Sequence, residues 1–176
     1  MSANPGIPDT PAASADTEPG GASVSDAVAR RQRWMGALAK ADPGELAEHW
    51  AGLSELPGWQ RLRAPEAGMV MTRGRIGGDG QRFNLGEVTV TRCTVRITDG
   101  AEQGLTGHAY VMGRDNTHAE RAAVLDALLQ EASWAARLER TVIRPLLAAA
   151  TARRTAAARK AGATKVNFTT VTRGED

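Results

Sequence analysis

Apolar residues along this chain fall into a helical rhythm first, then a strand rhythm, then a helical one again. From Val24 to Lys40, Val28, Met35, Leu38 and Ala39 mark one face at helical spacing, with Trp34 beside it, and predict a helix. Asp42-Pro43 followed by Glu45 supplies an N-cap with proline at the first helical position, which predicts a second, short helix through about Gly52. Pro57-Gly58 closes that region.

Strand patterns follow over Gln60–Arg63, Met69–Ile76 and Glu87–Thr98. The last alternates well. Val88, Val90, Arg92, Thr94, Arg96 and Thr98 share one face, and Thr89, Thr91, Cys93, Val95 and Ile97 the other. Asp99-Gly100 opens a turn, and Leu105–Gly113 returns as an antiparallel partner. Asn116 or Asp115 caps a helix to about Gln130 whose apolar residues, Ala119 to Leu129, spread widely enough for a buried helix. Pro145 opens another helix ending near Ala161-Gly162, and Lys165–Val171 alternates as a final strand that pairs within this sheet or on another chain. Helices, strands, helices and a strand in that order predict an α+β domain, an antiparallel sheet covered by helices. Residues 1–23, rich in Pro, Ala, Ser and Gly, lack periodicity and read as a disordered tail before a single domain over residues 24–176.

Composition narrows the classes. A chain of 176 residues, 41% hydrophobic, is one domain with an ordinary core. No apolar run is long enough to span a bilayer, and the first twenty residues lack the positive charge and apolar segment of a secretory signal. One cysteine excludes a disulfide framework. Together these point to a cytoplasmic protein without a membrane role. Between Arg137 and Lys160, Arg137, Arg140, Arg144, Arg153, Arg154, Arg159 and Lys160 face only Glu139. That is either a solvated helix face or a partner contact, and Arg153 and Arg154 are its interface candidates. Four scattered tryptophans, one tyrosine and two phenylalanines do not form a base-stacking platform, which argues against nucleic acid.

Candidate chemistry concentrates between Met69 and Glu120. Arg75 and Arg82 flank Gly77, Gly78 and Gly80, where backbone N–H groups and guanidinium forks suit a phosphate. No Gly-Lys-Ser/Thr follows, so this is not a nucleotide P-loop; the plainer alternative is a glycine turn with solvated arginines. Arg114 and His118 stand where a strand yields to a helix, a place suited to an anion. There the plainer alternative is a capped helix with His118 on the surface of its first turn. Arg92 and Arg96 occupy one strand face and suit a subunit seam, a ligand groove or a paired structural role. His108, alternating with Tyr110, suits a packed or interface position, and His49 a helix surface. Cys93 lies among apolar neighbours and reads as a small core residue. No pattern of metal ligands occurs.

These residues also carry a family resemblance. Asp42-Pro43-x-Glu45-Leu46, Arg75-x-Gly77-Gly78-x-Gly80-x-Arg82-Phe83, Gly86-Glu87-x-Thr89-x-Thr91-Arg92, Gly107-x-Ala109-Tyr110-Val111, Gly113-Arg114-Asp115-x-x-His118-Ala119-Glu120-Arg121 and Ile143-x-Pro145-Leu146 occur in one order. With Arg31-Gln32-x-Trp34-Met35 and Val166-x-Phe168-x-Thr170 at the ends, the chain resembles the G subunits (PhnG) of the carbon–phosphorus lyase core complex over roughly four-fifths of its length. The resemblance implies a part in phosphonate catabolism and phosphorus acquisition. It implies H, I and J subunits as core partners with an associated L subunit. It implies a transferase step in which an alkylphosphonate displaces adenine from ATP, giving alpha-D-ribose 1-methylphosphonate 5-triphosphate. ATP and alkylphosphonate are then substrates of the complex, with no cofactor or metal bound by this chain alone. In that family the J subunit carries an iron–sulfur cluster, which a chain with one cysteine cannot itself ligate. The implied role is support of a shared site. A purely structural scaffold in the same complex and a stand-alone phosphate-ligand binder are the alternatives.

Overall fold

The structure is a computed structural model that describes residues 24–99 and 104–164. The tail over residues 1–23 and the final strand expected over Lys165–Val171 lie outside the described residues. Helices α1 (Val24–Ala39) and α2 (Pro43–Ala51) lead into strands β1 (Trp59–Arg75), β2 (Arg82–Ile97) and β3 (Thr106–Met112). Helices α3 (Asn116–Leu128), α4 (Ala132–Leu138) and α5 (Arg144–Ala163) follow, with α4 and α5 joined through a π-helical turn at Glu139–Ile143. The sheet is antiparallel in the order β1-β2-β3. The α+β expectation therefore holds.

The caps form as the local chemistry dictates. Asp42 accepts from the backbone N–H groups of Gly44 and Glu45 at 2.9 and 3.2 Å, and Pro43 needs no partner for a missing N–H. Asp115, rather than Asn116, caps α3 by accepting from the His118 N–H at 2.8 Å.

Helix α3 is the centre of the core. Ala122, Ala123, Val124, Leu125, Ala127 and Leu128 are buried, so the helix is covered on all sides. Each of its fully buried leucines contributes roughly 1.5–3 kcal/mol. One side of α3 rests on Thr91, Cys93, Val95 and Ile97 of β2 and on Ala109 and Val111 of β3, and α1 packs nearby with Trp34 and Leu38. The contact with β3 is very close. A Cβ at Gly107 would overlap the Ala123 carbonyl oxygen and stand 2.6 Å from the Ala127 nitrogen. Only glycine lets the strand approach the helix this far.

Two expectations are corrected. Gln60–Arg63 and Met69–Ile76 are one continuous strand of 17 residues, about 55 Å long. Pro65 interrupts the apolar alternation without ending the strand, because β1 is at the sheet edge and its register shifts on either side of Arg63 absorb the irregularity. The helical region also begins earlier than Pro145, at Ala132. The π-turn joins α4 to α5, and Leu138, Val142, Ile143 and Leu146 are buried along the joined stretch.

Candidate functional site

The ladders place the sequence-predicted residues directly. Arg75 pairs with Arg82 in the last register position of the β1–β2 hairpin, and both side chains are exposed. Gly77 and Gly78 adopt positive φ, 64° and 89°, which shapes the turn between them. The Gly80 N–H is spent on the Ile76 carbonyl at 3.0 Å, and Arg75 Nη1 donates to the Gly80 carbonyl at 3.1 Å. Arg82 makes no ion pair among the described residues.

Arg114 belongs elsewhere. It follows Gly113, whose N–H donates to the Thr89 carbonyl at 2.9 Å and whose carbonyl accepts from Thr91 Oγ1 at 2.7 Å. Thr89 lies well back along β2 from Arg82, so Arg114 and the hairpin tip are separated by about 20 Å of strand. The arginines do not converge on one pocket within this chain.

His118 is not a surface residue of the first turn. It is 3% exposed, and its Nε2–H donates to the Leu38 carbonyl at 2.8 Å, tying α3 to the end of α1. A buried imidazole with that bond fastens two helices rather than facing an anion.

Carboxylates of α3 organise the conspicuous polar geometry. Glu120 accepts from Arg61 Nε and Nη2 at 2.7 and 2.9 Å and from Trp59 Nε1 at 3.1 Å. The Arg61 guanidinium holds the Glu120 carboxyl below its ordinary value; burial opposes this and the Trp59 bond adds to it. Nearly two helical turns later comes Asp126, 0% exposed. Its Oδ1 accepts from Trp34 Nε1 at 2.8 Å and Arg31 Nε at 3.2 Å, and its Oδ2 accepts from Arg31 Nη2 at 2.7 Å and the His108 backbone N–H at 2.9 Å. One buried carboxylate thus gathers α1, β3 and α3, with all four contacts charge-assisted. Sequence reasoning did not single out either role. The available signal was an acid in an otherwise apolar, buried run, Ala-Val-Leu-Asp-Ala-Leu-Leu, which must find partners.

The strand arginines are surface groups. Arg92 Nε donates to Glu66 Oε1 at 2.8 Å, and Arg63 Nη1 to the same oxygen at 2.9 Å. Arg92 is the leading cause of a lowered Glu66 value. Arg96 is exposed without an ion pair among the described residues. Arg153 pairs with Glu45 of α2 at 2.5 Å, whereas Arg154 is exposed without an ion pair in the same set. The excess of base from Arg137 onward is thus partly engaged: Arg137 stacks on Trp134 with 5.3 Å to the ring centroid, and Arg144 reaches Glu139 at 3.7 Å. Cys93 is buried, and burial pushes its thiol up, away from the reactive thiolate. His108 Nδ1 lies 3.2 Å from Thr94 Oγ1 on the exposed face.

Among the described residues no group of three or more His, Cys, Asp or Glu side chains is placed to hold a metal, and no helix is long and apolar enough to cross a membrane. What the geometry offers is a rigid core with its conspicuous carboxylates already paired, and arginines carried on projecting surfaces.

Residues 29–174 match the family model described as "Phosphonate metabolism protein PhnG". A protein of Rhizobium meliloti (strain 1021), named alpha-D-ribose 1-methylphosphonate 5-triphosphate synthase subunit PhnG, is 42% identical over 149 residues, spanning 85% of this chain and 92% of that relative. By both measures the chain belongs to the PhnG family of phosphonate metabolism proteins.

Proposed function

We propose that this chain is a non-autonomous subunit of an alpha-D-ribose 1-methylphosphonate 5-triphosphate synthase in the cytoplasm. It works with H, I and J subunits and an associated L subunit. In the reaction, a phosphonate oxygen attacks the anomeric carbon of ATP, the glycosidic C–N bond breaks, and adenine leaves with the bonding pair and takes up a proton. The triphosphate stays on the sugar. Such a step needs positive charge held around both phosphorus-bearing ends.

The observation that carries this reading is the near full-length relation to a protein named as a subunit of that synthase. The geometry is in keeping with a subordinate part. His118, Glu120 and Asp126 are occupied in holding helices and strands together, which leaves Arg75, Arg82 and Arg114 as the residues able to reach a ligand on another subunit. The separation of Arg114 from the hairpin tip favours a second reading, a scaffold without substrate contact.

The two readings part in one experiment. Arg75→Gln, Arg82→Gln and Arg114→Gln are each incorporated into the purified complex, and adenine release from ATP in the presence of methylphosphonate is measured. A phosphate contact gives normal assembly with a rate lowered about tenfold or more, because a hydrogen bond to a charged group is worth about 1.5–3 kcal/mol. Unchanged rates in all three variants support the scaffold. Absence of adenine release by the wild-type complex overturns the synthase reading.

A further inference from the structure

Among the described residues, helices cover one face of the sheet only. On the other, the two ladders align residues into rows across the strands, since directly opposed residues of an antiparallel pair share a face. The rows nearest the core are polar: Thr106–Arg96–Gln60, then His108–Thr94–Arg63. Tyr110–Arg92–Glu66 comes next. Beyond it the rows turn apolar, Met112–Val90–Gly68 and then Val88–Val70. Met112 is 74% and Tyr110 57% exposed. At Gly68 a Cβ would meet nothing within 4 Å, so that row ends in a shallow notch. Past Met112 the sheet narrows to the β1–β2 ribbon, whose Met69 and Met71, opposite Thr89 and Glu87, belong to the other face. A two-stranded ribbon without a covering layer is marginally stable in water. Tyr110, Met112 and Val70, exposed side by side with Val90 and Val88 on this face, mark an interaction surface.

We infer that this outer face, centred on Tyr110, Met112, Val70 and Val90, seats a chain of different sequence within the synthase complex, one presenting an apolar surface edged with carboxylates. The inference rests on the subunit reading above and assigns its docking surface. Charge decides the occupant. The polar end of the strip holds Arg63, Arg92 and Arg96 against Glu66 alone, and Glu66 is shared by the first two. A two-fold contact between copies of this chain offers the arginines only the same patch, whose carboxylate Glu66 is already engaged by Arg63 and Arg92. A carboxylate-bearing partner instead completes Arg96, which has no ion pair among the described residues, while its apolar surface covers Met112 and fills the notch at Gly68. Electrostatic matching of that kind also speeds encounter.

The test is co-expression of the full chain with the H, I and J subunits, followed by sizing and native mass measurement. Met112→Asp and Arg96→Glu are compared with Lys40→Glu, an exposed change at the end of α1 on the helical side. Circular dichroism confirms that each variant folds. The expected result is at least a tenfold loss of incorporation for Met112→Asp and Arg96→Glu, with Lys40→Glu like wild type. If the wild-type chain enters the complex and Met112→Asp and Arg96→Glu enter equally well, this surface is overturned and the subunit reading stands. If the wild-type chain never enters, the subunit reading itself falls. A dimer of the isolated chain that Met112→Asp dissolves also overturns the assignment.

Discussion

Asp126 on α3 grips Arg31 on α1 with both carboxylate oxygens, at 2.7 and 3.2 Å, from a position with no solvent exposure. The same oxygens hold Trp34 and the backbone of His108. Removing the acid leaves an indole N–H and a backbone N–H without their acceptor, and the Arg31 guanidinium with the Thr106 carbonyl at 3.5 Å. Asp126→Ala is therefore expected to cost about 3–5 kcal/mol. Asp126→Asn keeps one acceptor oxygen and costs less. Urea unfolding of both variants checks the order, and an Asp126→Ala protein as stable as wild type contradicts it.

Gly107→Ala tests the close approach of β3 to α3. The added methyl overlaps backbone rather than a movable side chain, so strand and helix must part. The expected loss is about 3 kcal/mol or more. For a domain of this size that is a fall of roughly 6–12 °C in Tm, measurable by calorimetry. Ala at Gly68, which faces open space, is the matched control and leaves Tm close to wild type.

The Glu120–Arg61 contact makes stability depend on pH in one direction. Arg61 holds the folded-state value of Glu120 below the unfolded one, so the unfolded chain binds a proton more readily. The contribution is complete above the ordinary glutamate value, about 4.3, and is lost as pH falls through the lower folded value. Thermal melts of wild type and Glu120→Gln should differ most at neutral pH and converge in acid. A gap that stays constant down to strongly acidic pH rules this out.

His118 and Arg114 should separate cleanly. His118→Ala removes a buried ring and its bond to the Leu38 carbonyl, and is expected to lower stability by about 2 kcal/mol or more. Arg114→Gln changes an exposed side chain and should leave the melt unchanged. Differential scanning fluorimetry of the two variants decides it; a stable His118→Ala chain would return the histidine to the list of ligand contacts.

Much of this fold is legible locally. The alternation Thr91, Cys93, Val95, Ile97 tells which side of β2 is inward, and the broad apolar run of α3 tells that it is covered all round. The cap at Asp115 follows from residue type. What is not legible is pairing across the chain. Asp126 and Arg31 are 95 positions apart, and Glu120 and Arg61 are 59 apart, and no local rule joins them. The continuity of β1 is masked by Pro65, which on an inner strand would have ended it. Helix α4 is masked by its shortness: of its seven residues only Leu138 is buried, too little to set a period. At the candidate site, residue type suggests that Arg75, Arg82, Arg114 and His118 share one task. The tertiary arrangement gives them three different addresses.

The outer edge of β1 has a consequence for how cells must make this protein. Among the described residues no strand pairs with that edge, and beyond Pro65 it presents Met69-Val70-Met71-Thr72 with its backbone groups open. Such an edge is a template for uncontrolled strand addition. Arg73 and Arg75 farther out act as gatekeepers, yet the four residues before them carry no charge. A surplus of this chain over whatever caps that edge is thus a hazard in itself.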